Sequence, residues 1–139
     1  MANSIKEGKM EATVNGYALV GKPASFAVNI SNKSGNAHQR IVPLKTKSRY
    51  QAELSAIKYV CQAIQCKDVN LTIKTSVEQI PQIFVKTSTN EWIKRKKPNA
   101  LVDDIRELST RFASFSCVID KNSELMLETK KMAKKPSSI

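Results

Sequence analysis

Hydrophobic and polar residues alternate in three segments of the first third of the chain, over residues 10–15, 26–30 and 39–44. An alternation with a period of two is typical of a strand that buries one of its faces. The run SNKSGN separates the second segment from the third, and its glycine and asparagines supply the backbone angles of a tight turn. The pattern therefore predicts three antiparallel strands at the start of the fold.

The period of the pattern then changes to that of a helix. Apolar residues recur in steps of three and four along one side of a helix predicted over residues 48–65 with Ser48 as its N-cap: Tyr50, Leu54, Ile57, Cys61 and Ile64. The remaining apolar pattern predicts a strand, a helix, a strand and a helix, at residues 69–73, 101–112, 115–119 and 123–135. The second helix would begin at Pro98 or Asn99. A short helix over 75–86 would be interrupted at Pro81, because proline lacks an amide donor.

The predicted order of elements is βββαβαβα, which indicates an α/β domain. A strand that follows a crossover helix usually lies parallel to a neighbour. We therefore expect a five-stranded mixed sheet, with three antiparallel strands followed by parallel ones, flanked by helices. The chain of 139 residues has room for one such core, since 41% of its residues are hydrophobic and 25% are charged. We expect this domain over residues 10–135, between flexible ends at 1–9 and 136–139.

Two features of the sequence indicate a compartment. No apolar run approaches the roughly 20 residues that span a bilayer, and the first residues lack the apolar stretch of a signal peptide. The three cysteines are odd in number, and the spacing of Cys61 and Cys66 is not that of a zinc or redox motif, so we expect buried free thiols. These features predict a soluble protein of the cytoplasm, or alternatively of the nucleus, without a membrane partner.

A large positive charge sets this chain apart from most domains of its size. The sequence has 23 lysines and arginines against 12 aspartates and glutamates, a formal net charge of +11. Such a field favours polyanions, and nucleic acid first among them. The densest basic run lies beside Trp92 and consists of Lys94, Arg95, Lys96 and Lys97. This run would supply phosphate contacts and a stacking surface; the alternative is a solvated turn with Trp92 anchored in the core.

Three motifs, taken in order and spacing, resemble those of the ribonuclease H-like superfamily. The run RYQAELSAIKYVCQAI resembles the first-helix motif of that family, in which a metal-binding carboxylate maps onto Glu53. The run KDVNLTIKTSVEQI resembles the strand and turn that follow, and KRKKPNALVDDIRELSTRF resembles a basic stretch and its helix. The resemblance extends over residues 10–135 and implies the ribonuclease H-like fold, in which the basic stretch forms a protrusion that grips a duplex.

The resemblance also implies that the metal site of the family is degenerate in this chain. Family members hold two divalent cations with a cluster of acidic residues. The first acidic position falls on Asn15, within VNGYA, and the second retains Glu53. The third falls on Lys74 or, with a shift of one residue, on Thr75. The fourth lies on the final helix and falls on one of three residues, Lys130, Glu124 or Glu128.

This set of residues predicts a protein that binds nucleic acid without cleaving it. An amide or a lysine lacks the negative charge that balances a divalent ion, so we expect no cofactor, with weak binding of Mg²⁺ at Glu53 as the alternative. Lys74 could take the place of a metal and contact a phosphate directly, or form an ion pair with Glu53. We expect an RNA/DNA hybrid or double-stranded RNA as the ligand. The residues predicted to bind it are Arg49, Lys74, Trp92, Lys94, Arg95, Lys96 and Lys97.

Two other functions fit the same sequence. Degenerate copies of this fold also serve as protein-interaction or architectural domains in retroelement polymerases and viral proteins, and such a domain should expose an apolar patch on its sheet or its terminal helix. The second alternative is an active, metal-dependent ribonuclease H with a rearranged site. That site would combine Glu53 with other carboxylates, such as Glu11, Glu78, Asp120 or Glu128.

Overall fold

The order of the secondary-structure elements is the predicted one. The computed structural model describes residues 8–32, 37–65 and 68–134, and all that follows concerns these residues. The elements are, in chain order, β1 (Lys9–Tyr17), β2 (Ala24–Asn32), β3 (Ala37–Leu44), α1 (Arg49–Ala63), β4 (Asn70–Thr75), a 3₁₀ helix (Pro81–Phe84), α2 (Ala100–Ser109), β5 (Ser114–Ile119) and α3 (Glu124–Ala133). The order βββαβαβα is therefore confirmed, with the 3₁₀ helix as an addition between β4 and α2.

The five strands form one mixed sheet in the order β3-β2-β1-β4-β5. β2 pairs antiparallel with both β1 and β3, whereas β4 pairs parallel with both β1 and β5. This arrangement confirms the predicted combination of three antiparallel strands and two parallel ones. Because β1 and β4 are parallel neighbours, their carboxyl ends meet at the same edge of the sheet. That edge is where the candidate site lies.

Helix α1 covers one face of the sheet. Its N-cap is Ser48, as predicted, because the Ser48 side chain accepts a hydrogen bond from the amide of Gln51 at 3.2 Å. The apolar side of α1 packs on the central strand β1 through fully buried side chains such as Leu54 and Ile57. The two backbones approach so closely at Gly16 that a Cβ atom there would lie 2.4 Å from the amide nitrogen of Glu53. Only glycine fits at this contact.

Helix α3 covers the other face through polar contacts. The Asn29 amide on β2 donates a hydrogen bond to the Thr129 hydroxyl at 2.7 Å, and both side chains are buried. The Ser25 hydroxyl donates to the carbonyl of Ala133 at the last turn of α3. Helix α2 packs on α1, with an ion pair of 2.9 Å between Lys58 and Asp104. The sheet is thus covered by α1 on one side and on the other by α3, which buries Met126 and Ala133 as well as its polar contacts with β2.

The clearest differences from the prediction lie between β4 and β5. Pro81 begins the 3₁₀ helix and does not interrupt one, because the first helical position needs no amide donor. Helix α2 ends at Ser109, three residues earlier than predicted, and its N-cap is Asn99, whose side chain accepts hydrogen bonds from the amides of Leu101 and Val102.

Lys9, in the predicted flexible end at 1–9, belongs to β1, and Ser31 and Asn32, in the predicted turn at 31–36, belong to β2. The other residues of that turn, residues 1–7, the predicted flexible end at 136–139 and the predicted last residue of α3, at 135, lie outside the described residues.

The described cysteines are free thiols. Cys61 is buried and Cys117 is partly buried, whereas Cys66 lies outside the described residues. Burial raises the pKa of the Cys61 thiol to about 12 and also raises the pKa of Cys117. Neither thiol is therefore a reactive nucleophile at neutral pH. No helix within the described ranges has both the length and the apolar composition needed to cross a membrane.

Candidate nucleic-acid interface

Glu53 is held inside the protein by two short hydrogen bonds. Its side chain projects from α1 toward the carboxyl ends of β1 and β4, and the residue is fully buried. One carboxylate oxygen accepts a hydrogen bond from the amide of Gly16 at 2.5 Å, and the other accepts one from the hydroxyl of Thr75 at 2.5 Å. Both oxygens are therefore occupied by donors of the protein itself.

Burial also raises the pKa of the Glu53 carboxyl above its ordinary value. The hydrogen bonds from Thr75 and Gly16 and the nearby charge of Arg49 act in the opposite direction, in that order, but they do not cancel the effect of burial. A carboxyl group that is fully buried and already accepts hydrogen bonds on both oxygens is poorly placed to bind a divalent cation. Glu53 therefore acts as a hydrogen-bond acceptor that joins α1 to two strand ends.

Asn15 and Arg49 occupy the sheet edge next to Glu53. The Asn15 amide is buried and lies 3.4 Å from the hydroxyl of Ser76, to which it donates. The Arg49 guanidinium donates to the same hydroxyl at 2.7 Å and to the carbonyl of Gly16 at 3.3 Å. Arg49 thus spans the ends of β1 and β4, where it is exposed to solvent.

Thr75, and not Lys74, faces Glu53. Successive residues of a strand point to opposite faces of the sheet, so the contact between Thr75 and Glu53 directs Lys74 away from the carboxylate. The Lys74 ammonium instead lies 3.2 Å from the carboxylate of Glu11 on β1. The expected ion pair between Lys74 and Glu53 is therefore wrong, whereas the expected contact of Lys74 with a phosphate in place of a metal, and with it a contribution to nucleic-acid binding, stays a prediction.

Helix α3 brings lysines, and no carboxylate, to the end of β1. A cavity of about 270 Å³ lies there, which we name the β1-end pocket; its lining is Asn15, Gly16, Tyr17, Ala18, Leu19, Arg49, Lys130 and Lys134. Of the three residues considered for the fourth acidic position, Lys130 is the one in this pocket. Glu124 and Glu128 are exposed and do not contribute to its lining. A spacing of four residues places Lys130 and Lys134 on one side of a helix, which is the signal that would have identified Lys134.

The residues present do not fit a pair of divalent cations. Two such ions need several hard oxygen ligands with negative charge. The site offers an amide at Asn15, a hydroxyl at Thr75 and an enclosed carboxyl group at Glu53, with the positive charge of Arg49 beside them. Across residues 8–32, 37–65 and 68–134, no three His, Cys, Asp or Glu side chains are grouped so that they could hold a metal ion.

The carboxylates considered for a rearranged metal site have other partners or positions. Glu11 pairs with Lys74, and Glu78 forms an ion pair with Lys121. Asp120 accepts hydrogen bonds from the hydroxyl of Ser123 at 2.6 Å and from the amide of Ser123 at 3.0 Å, and these bonds lower its pKa. Glu128 is exposed on α3, outside the β1-end pocket. The structure does not bring these side chains to Glu53.

The second cationic region is the basic loop, which we define as Lys94, Arg95, Lys96 and Lys97. These residues line one side of a surface groove of about 710 Å³, whose other lining residues are Gln82, Ile83, Val85 and Ile93. The three lysines are exposed, whereas Arg95 is partly buried and donates to the hydroxyl of Tyr50 at 3.4 Å. The basic loop is therefore a set of solvated cations around an apolar floor, with one anchor to α1.

Trp92 lies beside the basic loop but is already covered by cations. The Lys86 ammonium is 4.7 Å from the centre of the indole ring, and the Arg106 guanidinium is 5.3 Å from it. Arg106 also donates to the carbonyls of Ile83 and Ile93 at 2.7 and 2.8 Å. The half-buried Trp92 thus organises the loop, and its role as a stacking surface stays a prediction. No spacing in the sequence signals the contact with Arg106.

The fold, and not the sequence, connects this chain to known proteins. No protein-family model matches the sequence, and a search of curated proteins finds no match. Among solved structures, the crystal structure of LC11-RNase H1 in complex with an RNA/DNA hybrid is similar, with a TM-score of 0.71 and 16% identity over 91% of this chain and 94% of that chain. At this level of identity the likeness concerns the fold alone. The chain has the ribonuclease H-like fold that its motifs predict.

Proposed function

We propose that this chain binds an RNA/DNA hybrid or double-stranded RNA through basic residues and does not cleave it. One observation carries the proposal: Glu53 is enclosed by Gly16 and Thr75, while cations take the accessible positions around it. An enclosed carboxyl group does not attract a metal ion, and exposed cations attract phosphates. The sheet edge thus favours a polyanion over a divalent cation.

Charge and shape support the same function. A formal net charge of +11 favours association with polyanions, and each phosphate neutralised by lysine or arginine releases counterions. The basic loop and the β1-end pocket provide two separate cationic surfaces. Contacts to phosphates carry little sequence information, so we expect recognition of duplex shape. A protein with a similar fold, LC11-RNase H1, was crystallised with an RNA/DNA hybrid, which favours that duplex as the first ligand to test.

The absence of cleavage follows from the donor set. In two-metal hydrolysis, cations activate the attacking water and stabilise the leaving oxygen. The residues near Glu53 cannot supply the negative charge that such ions need, and no described histidine lies there, since His38 contacts Tyr59 at 3.0 Å instead. The proposal is therefore a binding function that retains the fold of a nuclease.

The test combines binding and cleavage on the same labelled duplexes. Fluorescence anisotropy would give the affinity for an RNA/DNA hybrid, double-stranded RNA and double-stranded DNA at several salt concentrations, and a gel would detect cleavage with Mg²⁺ or Mn²⁺. The variant Lys94→Gln/Lys96→Gln removes two charges from the basic loop. Its matched control, Lys9→Gln/Lys131→Gln, removes two exposed charges outside both cationic regions.

We expect salt-dependent binding of the hybrid or of double-stranded RNA without cleavage. The basic-loop variant should bind about tenfold more weakly, with a shallower dependence on salt, than the matched control. Metal-dependent cleavage that Glu53→Gln abolishes would instead support the alternative of an active ribonuclease H with a rearranged site. Equal losses of duplex affinity in the two double variants would show that the basic loop does not contact the duplex.

A protein-interaction function is the second candidate, and exposed apolar side chains favour it. Val118 and Ile119 on β5 are 41% and 42% exposed, and Leu127 on α3 is 47% exposed. β5 is also an edge strand of the sheet, so its outer hydrogen-bonding groups can pair with another chain. If no duplex binds even at low salt, this candidate replaces the first. Val118→Lys would then disrupt binding of the partner.

A further inference from the structure

The β1-end pocket gathers positive charge without a counter-ion from the protein. Arg49 enters from the start of α1, and Lys130 and Lys134 enter from the last turns of α3. The lining includes no carboxylate, and the ion pairs of the described residues involve other lysines. Like charges in one cavity repel each other unless an anion lies between them. The arrangement therefore indicates an anionic ligand.

From this arrangement we infer that the β1-end pocket is a phosphate-binding site, which receives one backbone phosphate of the bound duplex. The inference rests on the proposed function and adds the position of one contact. The phosphate would lie at the sheet edge where the resemblance places metal ions, so that basic side chains balance its charge directly. A cavity of about 270 Å³ accommodates a phosphate group with part of its sugar.

Arg49 is oriented for this contact before a ligand arrives. The hydroxyl of Ser76 and the carbonyl of Gly16 each accept one hydrogen bond from its guanidinium, at 2.7 and 3.3 Å. A guanidinium has five N–H donors, so most of them are still free to bind phosphate oxygens. Ser76 follows β4 directly, and Gly16 is fixed by its bond to Glu53. The enclosed Glu53 thus holds the strand end that positions Arg49.

One wall of the pocket is apolar and open to solvent. Ala18 and Leu19 follow β1, and Leu19 is 60% exposed although it lines the pocket. The neighbouring Val20 is also fully exposed. A free inorganic phosphate would not cover these side chains, whereas the sugar of a nucleotide would. The chemistry of the wall therefore favours a phosphate within a polynucleotide over a free one.

The test compares Lys130→Gln with Lys131→Gln. Both variants remove one charge from the same turn of α3 and retain good helix formers, but only Lys130 lines the pocket, while Lys131 is exposed. The affinity for a short RNA/DNA hybrid should fall about tenfold in Lys130→Gln and less than about threefold in Lys131→Gln. Arg49→Lys retains the charge but loses the fork of donors, and it should weaken binding by an intermediate factor.

A second arm separates the two proposals. Pyrophosphate, added at constant ionic strength, should raise the Tm of the wild type more than that of Lys130→Gln. Equal losses of hybrid affinity in the two lysine variants would overturn the inference that the β1-end pocket binds a phosphate, and would leave the proposed function intact. If the wild type binds no hybrid, the proposed function fails, and a pyrophosphate effect that depends on Lys130 would show that the pocket takes a free phosphate. The absence of both effects would overturn both proposals.

Discussion

The β1-end pocket and the basic loop carry the same sign of charge but are built differently. In the pocket, Arg49 is tied to Ser76 and Gly16, and the lysines project from a helix that packs on the sheet. In the basic loop, the three lysines are solvated, and only Arg95 has an anchor, to Tyr50. A cation that is held in place, as Arg49 is, can determine where a duplex lies, whereas solvated lysines mainly attract it. The position of a cation relative to rigid elements therefore matters as much as its charge.

Among these substitutions, removal of the Glu53 side chain, which holds the strand end beside the β1-end pocket, should lower the free energy of unfolding most. Glu53→Ala leaves the amide of Gly16 and the hydroxyl of Thr75 without an acceptor in a fully buried cavity. We expect the free energy of unfolding to fall by about 3–5 kcal/mol, as measured by denaturant unfolding. Glu128→Ala, on the exposed side of α3, should change it by less than about 0.5 kcal/mol. A small effect of Glu53→Ala would show that the sheet edge does not depend on this acceptor.

A side chain at Gly16 should disturb the β1-end pocket and leave the basic loop unchanged. In Gly16→Ala, the added Cβ would lie 2.4 Å from the Glu53 amide, so α1 and β1 must move apart. We expect a loss of about 2–3 kcal/mol in stability. In the Gly16→Ala background, Lys130→Gln should weaken binding of the hybrid less than it does in the wild type. Lys94→Gln/Lys96→Gln should weaken it as much as in the wild type. Gly21→Ala provides a contrast, because a Cβ there meets no atom within 4 Å and only the backbone conformation resists the change.

The pH dependence of stability should reveal the raised pKa of the buried Glu53 carboxyl. Its pKa is raised above the value of 4.5 that applies to the unfolded chain, so the folded state binds more protons. Stability is therefore greatest below about pH 4.5 with respect to this group, and it falls as the pH rises toward the folded pKa.

The variant Glu53→Gln removes this titration and keeps both neighbours paired, since Thr75 can accept a hydrogen bond from the new amide. The difference in Tm between variant and wild type should increase in favour of the variant as the pH rises above about 4.5. Glu78 and Asp120, whose pKa values are lowered, titrate equally in both proteins and cancel in the difference. A difference that is independent of pH would contradict the raised pKa.

The anchor of the basic loop should have the smallest effect. Tyr50→Phe removes the hydroxyl that accepts a hydrogen bond of 3.4 Å from Arg95. A bond of this length contributes little, so we expect a loss of less than about 0.5 kcal/mol in stability. Affinity for the hybrid should change by less than about twofold. A larger loss of affinity would mean that the loop, like the pocket, depends on a fixed arrangement.

The sequence predicted the elements better than the site, for a physical reason. Periodic burial is a property of whole segments, so the order βββαβαβα and the N-cap Ser48 could be read from the pattern. A site depends on single positions, and a shift of one residue along a strand moves a side chain to the opposite face of the sheet. That is why Lys74 and Thr75 could not be distinguished. On α3, the exposed Glu128 and the pocket-lining Lys130 are separated by only two residues.

The way in which Glu53 is held also opposes the introduction of further acidic ligands beside it. In Asn15→Asp, the new carboxylate would lie beside Ser76 and Arg49, and it would pair with that guanidinium before it met any metal ion. A second carboxylate at Thr75 would remove the hydroxyl that Glu53 requires and place two buried anions in contact. Each of these single substitutions is therefore unfavourable, so building a metal site at this sheet edge would need several substitutions at once.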